Sequence, residues 1–156
     1  NGLPDSTVIG VYIFYNLVYA LMAYPVGILA DKLGLKNIFL AGILLFAVVY
    51  AGFTQEAPLW VSAILFLLYG VYAAATESVS KAWISNIADR GDTATAIGTY
   101  MGFQSIATLA ASSVAGLIWY RFGSAATFGI TAGAALLVAM YLSRIRFTRH
   151  GKDVDG

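Results

Sequence analysis

Long apolar runs dominate the pattern along the chain, and short polar clusters cut them apart. Five spans can be drawn, at about residues 6–30, 38–53, 59–80, 93–120 and 125–145. The connections between them read "DKLGLKN", "TQEAP", "KAWISNIADRGD" and "RFGS". Runs of roughly 20 apolar residues have the length that a bilayer core demands of a helix. Hydrocarbon offers the backbone no water to bond, so spanning segments are helices or strands of a closed barrel. Barrel strands alternate over about ten residues. These runs are longer and do not alternate, so the pattern predicts helices. The expected fold is all-α: a polytopic transmembrane bundle of five spans, one domain over residues 1–156, with 146–156 as a tail. Short connections make sequential helices antiparallel neighbours.

Composition agrees with that solvent. Hydrophobic residues make up 60% of the chain and charged residues 11%, and the mean hydropathy is +0.78. Soluble domains carry roughly 25% charged residues, too many for this chain to imitate. Cysteine is absent, which removes disulfides and thiol metal sites. The first run lacks a basic leader and a small-residue cleavage site, so no signal peptide is expected. The chain opens on Asn1 rather than Met, as expected of a segment of a longer chain.

Charge sets an orientation. Lys32, Lys36, Lys81, Arg90, Arg144, Arg146, Arg149 and Lys152 fall on one side of the five spans, and Arg121 alone on the other. By the positive-inside bias, the first, third and tail connections face the cytoplasm. The N-terminus is then outside and the C-terminus inside.

The spans differ in polarity. The second and fifth are bland and are expected at the lipid-facing periphery. The first carries Tyr12, Tyr15, Asn16 and Tyr19 on one helical face. The third carries Tyr69, Tyr72, Thr76 and Ser80, with Glu77 beside them, and the fourth carries Tyr100, Gln104, Thr108 and Ser112. Such residues can simply bond across helices. Three striped helices beside two bland ones point instead to a polar cavity shared by the first, third and fourth spans. Gly98 and Gly102 form a G-x-x-x-G, and Ala107, Ala111 and Ala115 continue the small steps. Close static packing is the favoured reading of that stripe.

Helix-end chemistry adds detail. Asp5 or Ser6 can cap the first helix and Asp92 or Thr93 the fourth, and Pro58 suits a first turn. Gly34 and Gly123 lie where a left-handed residue is often needed. Pro25, inside the first span, is expected to kink it.

The stretch "YPVGILADKLGLKN" concentrates the remaining polar chemistry. Asp31 stands at the negative end of its own helix dipole, the wrong end for a carboxylate. It calls for a partner in Lys32, Lys36, Arg90 or another helix N-terminus. Gly27 and Gly34 leave room for a close approach. The alternative is a solvated turn whose lysines only obey the orientation bias. Glu77 lies about a turn inside the third span. Lys81, at i+4, makes a local salt bridge its first expected role, although an acid in a membrane helix is a functional candidate by default.

At these residues the sequence resembles the major facilitator superfamily. "GILADKLGLK" is similar to the family's loop motif, G-x-L-x-D-[RK]-x-G-[RK]-[RK]. Gly27, Leu29, Asp31, Lys32, Gly34 and Lys36 match, and Leu35 departs. "ADRGDTATAIGTYMG" and "AGLIWYRFG" resemble the entry to the eleventh helix and the passage to the twelfth. The resemblance implies helices eight to twelve of a twelve-helix protein, with the N-terminal half as the missing partner. It implies a secondary active transporter of a small molecule working by alternating access. The motif Gly27, Asp31, Lys32, Gly34 and Lys36 would gate it, beside the cytoplasmic charges Glu77, Lys81 and Arg90. Tyr12, Asn16, Tyr69, Tyr72, Gln104 and Thr108 would line the cavity. The resemblance also implies a proton gradient as energy source and no cofactor. The lipid bilayer and the substrate are the other expected partners, without nucleic acid or metal. Loose similarity to multidrug-type members points to efflux, and to a bacterial inner membrane. The aromatic, uncharged candidates tilt against a highly charged ligand. An enzyme is disfavoured: the only histidine, His150, lies in the tail, and no aspartate lies mid-membrane. A non-transporting scaffold, or an isolated transporter fragment, is the alternative.

Overall fold

The computed structural model describes residues 5–55, 58–89 and 91–145, with side chains from Ile9 onward except Leu59. Four helical elements follow one another: α1 (Asp5–Leu33), α2 (Leu35–Gly52), α3 (Leu59–Ile87) and α4 (Thr93–Arg144). Among the described residues there is no strand. Each element contains a stretch long and apolar enough to cross a membrane.

The expected fourth and fifth spans run together as one element, and the join is a single glycine. α4 has 52 residues, about 78 Å if straight against a hydrocarbon core of about 30 Å. It is not straight. Gly123 takes φ 82 and ψ 178 inside it, a region only glycine populates readily. The Trp119 and Phe128 rings lie 5.6 Å apart, although nine helical residues span about 13.5 Å. The chain therefore folds back, and α4 has a first arm over 93–122 and a second arm over 124–144.

Two other boundaries move. α1 and α2 are separated by Gly34 alone, so the expected hinge over 31–37 shrinks to one residue. α3 runs to Ile87, seven residues beyond its expected end at 80. The extension is held by the Glu77–Lys81 pair at 2.8 Å and by Trp83, which packs edge-on against Phe39 of α2. Pro25 does not end α1. It lacks the N–H that would bond the Leu21 carbonyl.

α3 is the central helix and packs against α1, α2 and α4. α1 runs parallel to it: Tyr15 stacks near Tyr69, while Val26 and Ala30 meet Ala75 and Val79 further along. α2 runs antiparallel, with Gly52 beside Leu65 and Gly42 beside Ala75 and Thr76. The second arm returns along the other flank of α2, where Ala135 and Ala139 pack on Ile43 and Ala47. The bland α2 is thus flanked on two sides, with Ala41, Leu44, Val48 and Ala51 left exposed as a narrow stripe. A helix without polar residues need not lack neighbours. Its small residues admit close packing, which drives association where lipid is as apolar as leucine.

The first arm is the opposite case. Every residue from 101 to 114 is exposed, and Gly98 and Gly102 meet no neighbouring atom within 4 Å. Their expected close packing has no partner among the described residues. Helix caps also differ from expectation. Asp92 occupies the N-cap of α4 without a side-chain cap bond, and Thr93 bonds back to the Asp89 carbonyl. Pro58 is the N-cap of α3, one position before the first turn. The side chains of Asp5 and Ser6 lie outside those described.

Three glycine substitutions test this fold. A Cβ on Gly70 would lie 2.9 Å from Val18 Cγ1 and 3.2 Å from the Tyr15 carbonyl oxygen. Gly70→Ala should therefore cost about 1–3 kcal/mol of stability, read as a lowered unfolding temperature in detergent. Gly98→Ala, in open space, should show no such loss. Gly123→Ala should cost about 1–3 kcal/mol, because its strain is in the backbone and no neighbour can relieve it.

Candidate functional site

Serine and threonine hydroxyls in these helices bond mostly to their own backbone. Thr76 Oγ1 donates to the Tyr72 carbonyl at 3.0 Å, and Ser80 Oγ donates to the Thr76 carbonyl at 2.7 Å. Thr108 does the same to Gln104 at 2.8 Å. A hydroxyl in hydrocarbon needs a partner, and the carbonyl one turn back is always in reach. The hydrogen is then committed, and the oxygen lone pairs face outward.

On α3 that device builds a polar wall. Tyr69, Tyr72, Thr76, Glu77 and Ser80 line one cavity of about 380 Å³, with Ala73 between them. Tyr100 and Gln104 of the first arm close a second side, and Phe39 and Ile43 of α2 a third. Tyr69 and Tyr72 lie 5.5 Å apart ring to ring, and Phe46 of α2 backs Tyr72 at 4.6 Å. Glu77 bonds Lys81 through Oε1 at 2.8 Å. Tyr19 of α1 is close enough to interact electrostatically with the same carboxylate.

Three of the six expected lining residues, Tyr69, Tyr72 and Gln104, meet in this cavity. Tyr12, Asn16 and Thr108 are not among its lining residues. Tyr12 is 67% exposed, Asn16 bonds the Tyr12 carbonyl on its own helix, and Thr108 is exposed one turn past Gln104. In this cavity α2, not α1, supplies the third wall. The reason is that α1 lies along another flank of α3, where Tyr15 and Tyr19 reach it from the side. Glu77 also sits further from the end of its helix than expected. α3 continues about 15 Å beyond it to Ile87, rather than a single turn.

A second cavity, of about 330 Å³, is lined by Tyr50, Phe53, Phe66, Tyr69 and Phe128. Sequence reasoning missed it, and α2's part in the first. The signal was present: Phe39, Phe46, Tyr50 and Phe53 fall at helical steps along a span read only as bland.

The motif residues sit at the α1–α2 junction. Asp31 and Lys32 occupy the last turn of α1 and are exposed. Among the described residues no salt bridge holds Asp31, and Arg90 lies outside the described residues. Gly34 takes φ 90 and donates its N–H to the Ala30 carbonyl at 2.9 Å. Asn37 Nδ2 donates to the Leu33 carbonyl at 2.8 Å. Two of the carbonyls that end α1 are satisfied in this way. Gly27 faces open space. Lys36 does not turn to Asp31. Its Nζ donates to the Ile145 carbonyl at the C-cap of α4, where a cation complements the negative end of the dipole.

This last contact carries a test. Lys36→Met should loosen the final turn of α4 by about 0.3–1 kcal/mol, and by up to about 2 if the site is partly buried. Hydrogen exchange of the amides near Arg144 should speed up accordingly, with the α1–α3 interface unchanged.

Comparison with known proteins follows the same lines. The family profile of the Major Facilitator Superfamily matches residues 2–155. An uncharacterized MFS-type transporter of Methanocaldococcus jannaschii is 34% identical over 111 residues, which are 71% of this chain and 28% of that protein. The MFS-type transporter ppzB of Metarhizium majus is 28% identical over 127 residues, 81% of this chain and 26% of its own length. The chain thus spans little more than a quarter of the relatives it matches. No solved structure matches significantly. A polytopic helical chain, matched by that profile from residue 2 to residue 155, belongs to the Major Facilitator Superfamily.

Proposed function

We propose that these residues form helices eight to twelve of a secondary active transporter, which carries a small molecule across a plasma membrane by alternating access. The observation that supports this most is the polar cavity between α3 and the first arm. It adjoins a helix exposed from 101 to 114, where an N-terminal half of the same transporter has room to pack. The motif at 27–36 would lie in the cytoplasm, as the basic residues favour, and Asp31 would find its partner on the other half. Its release and recapture would bias the two access states, which needs only a small free energy. Proton coupling and export are part of this reading. Glu77, on the cavity wall, would be the group that binds and releases the proton.

The test uses the full-length protein carrying these residues, reconstituted in proteoliposomes. Solute flux should follow an imposed proton gradient and stop when the gradient is collapsed. Asp31→Asn should lower the flux roughly five-fold or more with the protein still folded and inserted. Unchanged flux in that variant removes the gating role. No flux of any solute from folded, inserted protein removes the transporter reading in favour of a non-transporting scaffold.

A further inference from the structure

The walls of the polar cavity are unbalanced, and the imbalance names a ligand. Among the described residues that line it, Glu77 is the one charged group. Thr76 and Ser80 have already given their hydrogens to α3's own carbonyls, so they offer only acceptor lone pairs. Gln104 and the Tyr69, Tyr72 and Tyr100 hydroxyls can both donate and accept. The three tyrosine rings also present π faces, which attract cations. The one-sided feature of the wall is its charge: a carboxylate beside π faces favours a cationic ligand.

We propose that this cavity binds a small organic monocation, a protonated amine, with Glu77 as its counter-ion. The inference rests on reading the cavity as the substrate passage. Lys81 already displays the chemistry, since an alkylammonium sits on Glu77 Oε1 at 2.8 Å. Both partners are well exposed, at 41% for Lys81 and 45% for Glu77. Exposed i,i+4 pairs of this kind are weak. A substrate ammonium entering the cavity can therefore take the place of Lys81 without a large penalty. An anion would meet Glu77 with Lys81, already paired to it, as the nearby cation. A neutral solute can donate to Glu77 but brings no charge to replace the Lys81 ammonium. The volume, about 380 Å³, falls within the range of about 300–1,000 Å³ seen for small-molecule sites.

Three probes of one shape separate the charges: tyramine as cation, tyrosol as neutral alcohol and 4-hydroxyphenylacetate as anion. Binding is measured to the purified full-length protein in nanodiscs, with no gradient and no transport. Tyramine should bind roughly tenfold or more tightly than the other two, the scale of a hydrogen bond to a charged group. Glu77→Gln should abolish that preference. Lys81→Ala should tighten tyramine binding several-fold, because the competing ammonium is gone. This variant keeps the test alive if Glu77→Gln fails to fold. Binding without charge preference, preference for the anion, no binding of any probe, or weaker tyramine binding in Lys81→Ala overturns the assignment. The two readings fail separately. Amine-selective binding without flux supports the site and removes the transporter. Flux with no charge preference in binding removes the site and leaves the transporter.

Discussion

Hydrocarbon cannot hydrogen-bond, and every part of this fold answers to that constraint. Backbone groups must be satisfied within the helices, so irregular structure is squeezed to a minimum. One residue, Gly34, separates α1 from α2. One residue, Gly123, turns α4 back on itself. Both take positive φ, because a reversal that short needs backbone angles an L side chain resists. Side-chain hydroxyls obey the same constraint by bonding one turn back along their own helices. In the polar cavity that habit leaves Thr76 and Ser80 as acceptors, with the tyrosines and Gln104 as the groups still able to donate.

Packing is set by small residues in a similar way. α3 touches every other helix, and its contacts are closest where a side chain is missing or short: Gly70 against Val18, and Ala75 against Gly42. Clusters of alanine and valine join α1, α2 and α3 at one end, and α2 to the second arm along its flank. Large aromatic residues fill the remaining space. Tyr69 belongs to both cavities, so its ring is a common wall between a polar chamber and an aromatic one.

Much of this was readable from the sequence, and the errors have physical causes. Apolar run length placed the helices, because a bilayer imposes one length on every span. Gly34 and Gly123 were identified as turn residues, because few other residues can take their place. The end of α3 was misjudged because Lys81 looked like a loop residue. In the helix, its i+4 bond to Glu77 lets it stay in register. The lining of the cavity was half legible. Periodicity shows which residues share a face of one helix, which grouped Tyr69 and Tyr72. It does not show which flank of α3 each neighbour occupies. Tyr12 and Asn16 were therefore assigned to a cavity whose third wall belongs to α2.

The contact between Lys36 and the Ile145 carbonyl has a consequence for assembly. These residues stand 109 positions apart, near opposite ends of the chain's path through the bilayer. α1, α2 and α3 can pair as each emerges during synthesis, since all three end before residue 88. The flank of α2 carrying Ile43 and Ala47 must wait in lipid until the arm beyond Gly123 has been made. The bundle is therefore finished last at its second helix, and Lys36 is the clasp that closes when the final turn arrives.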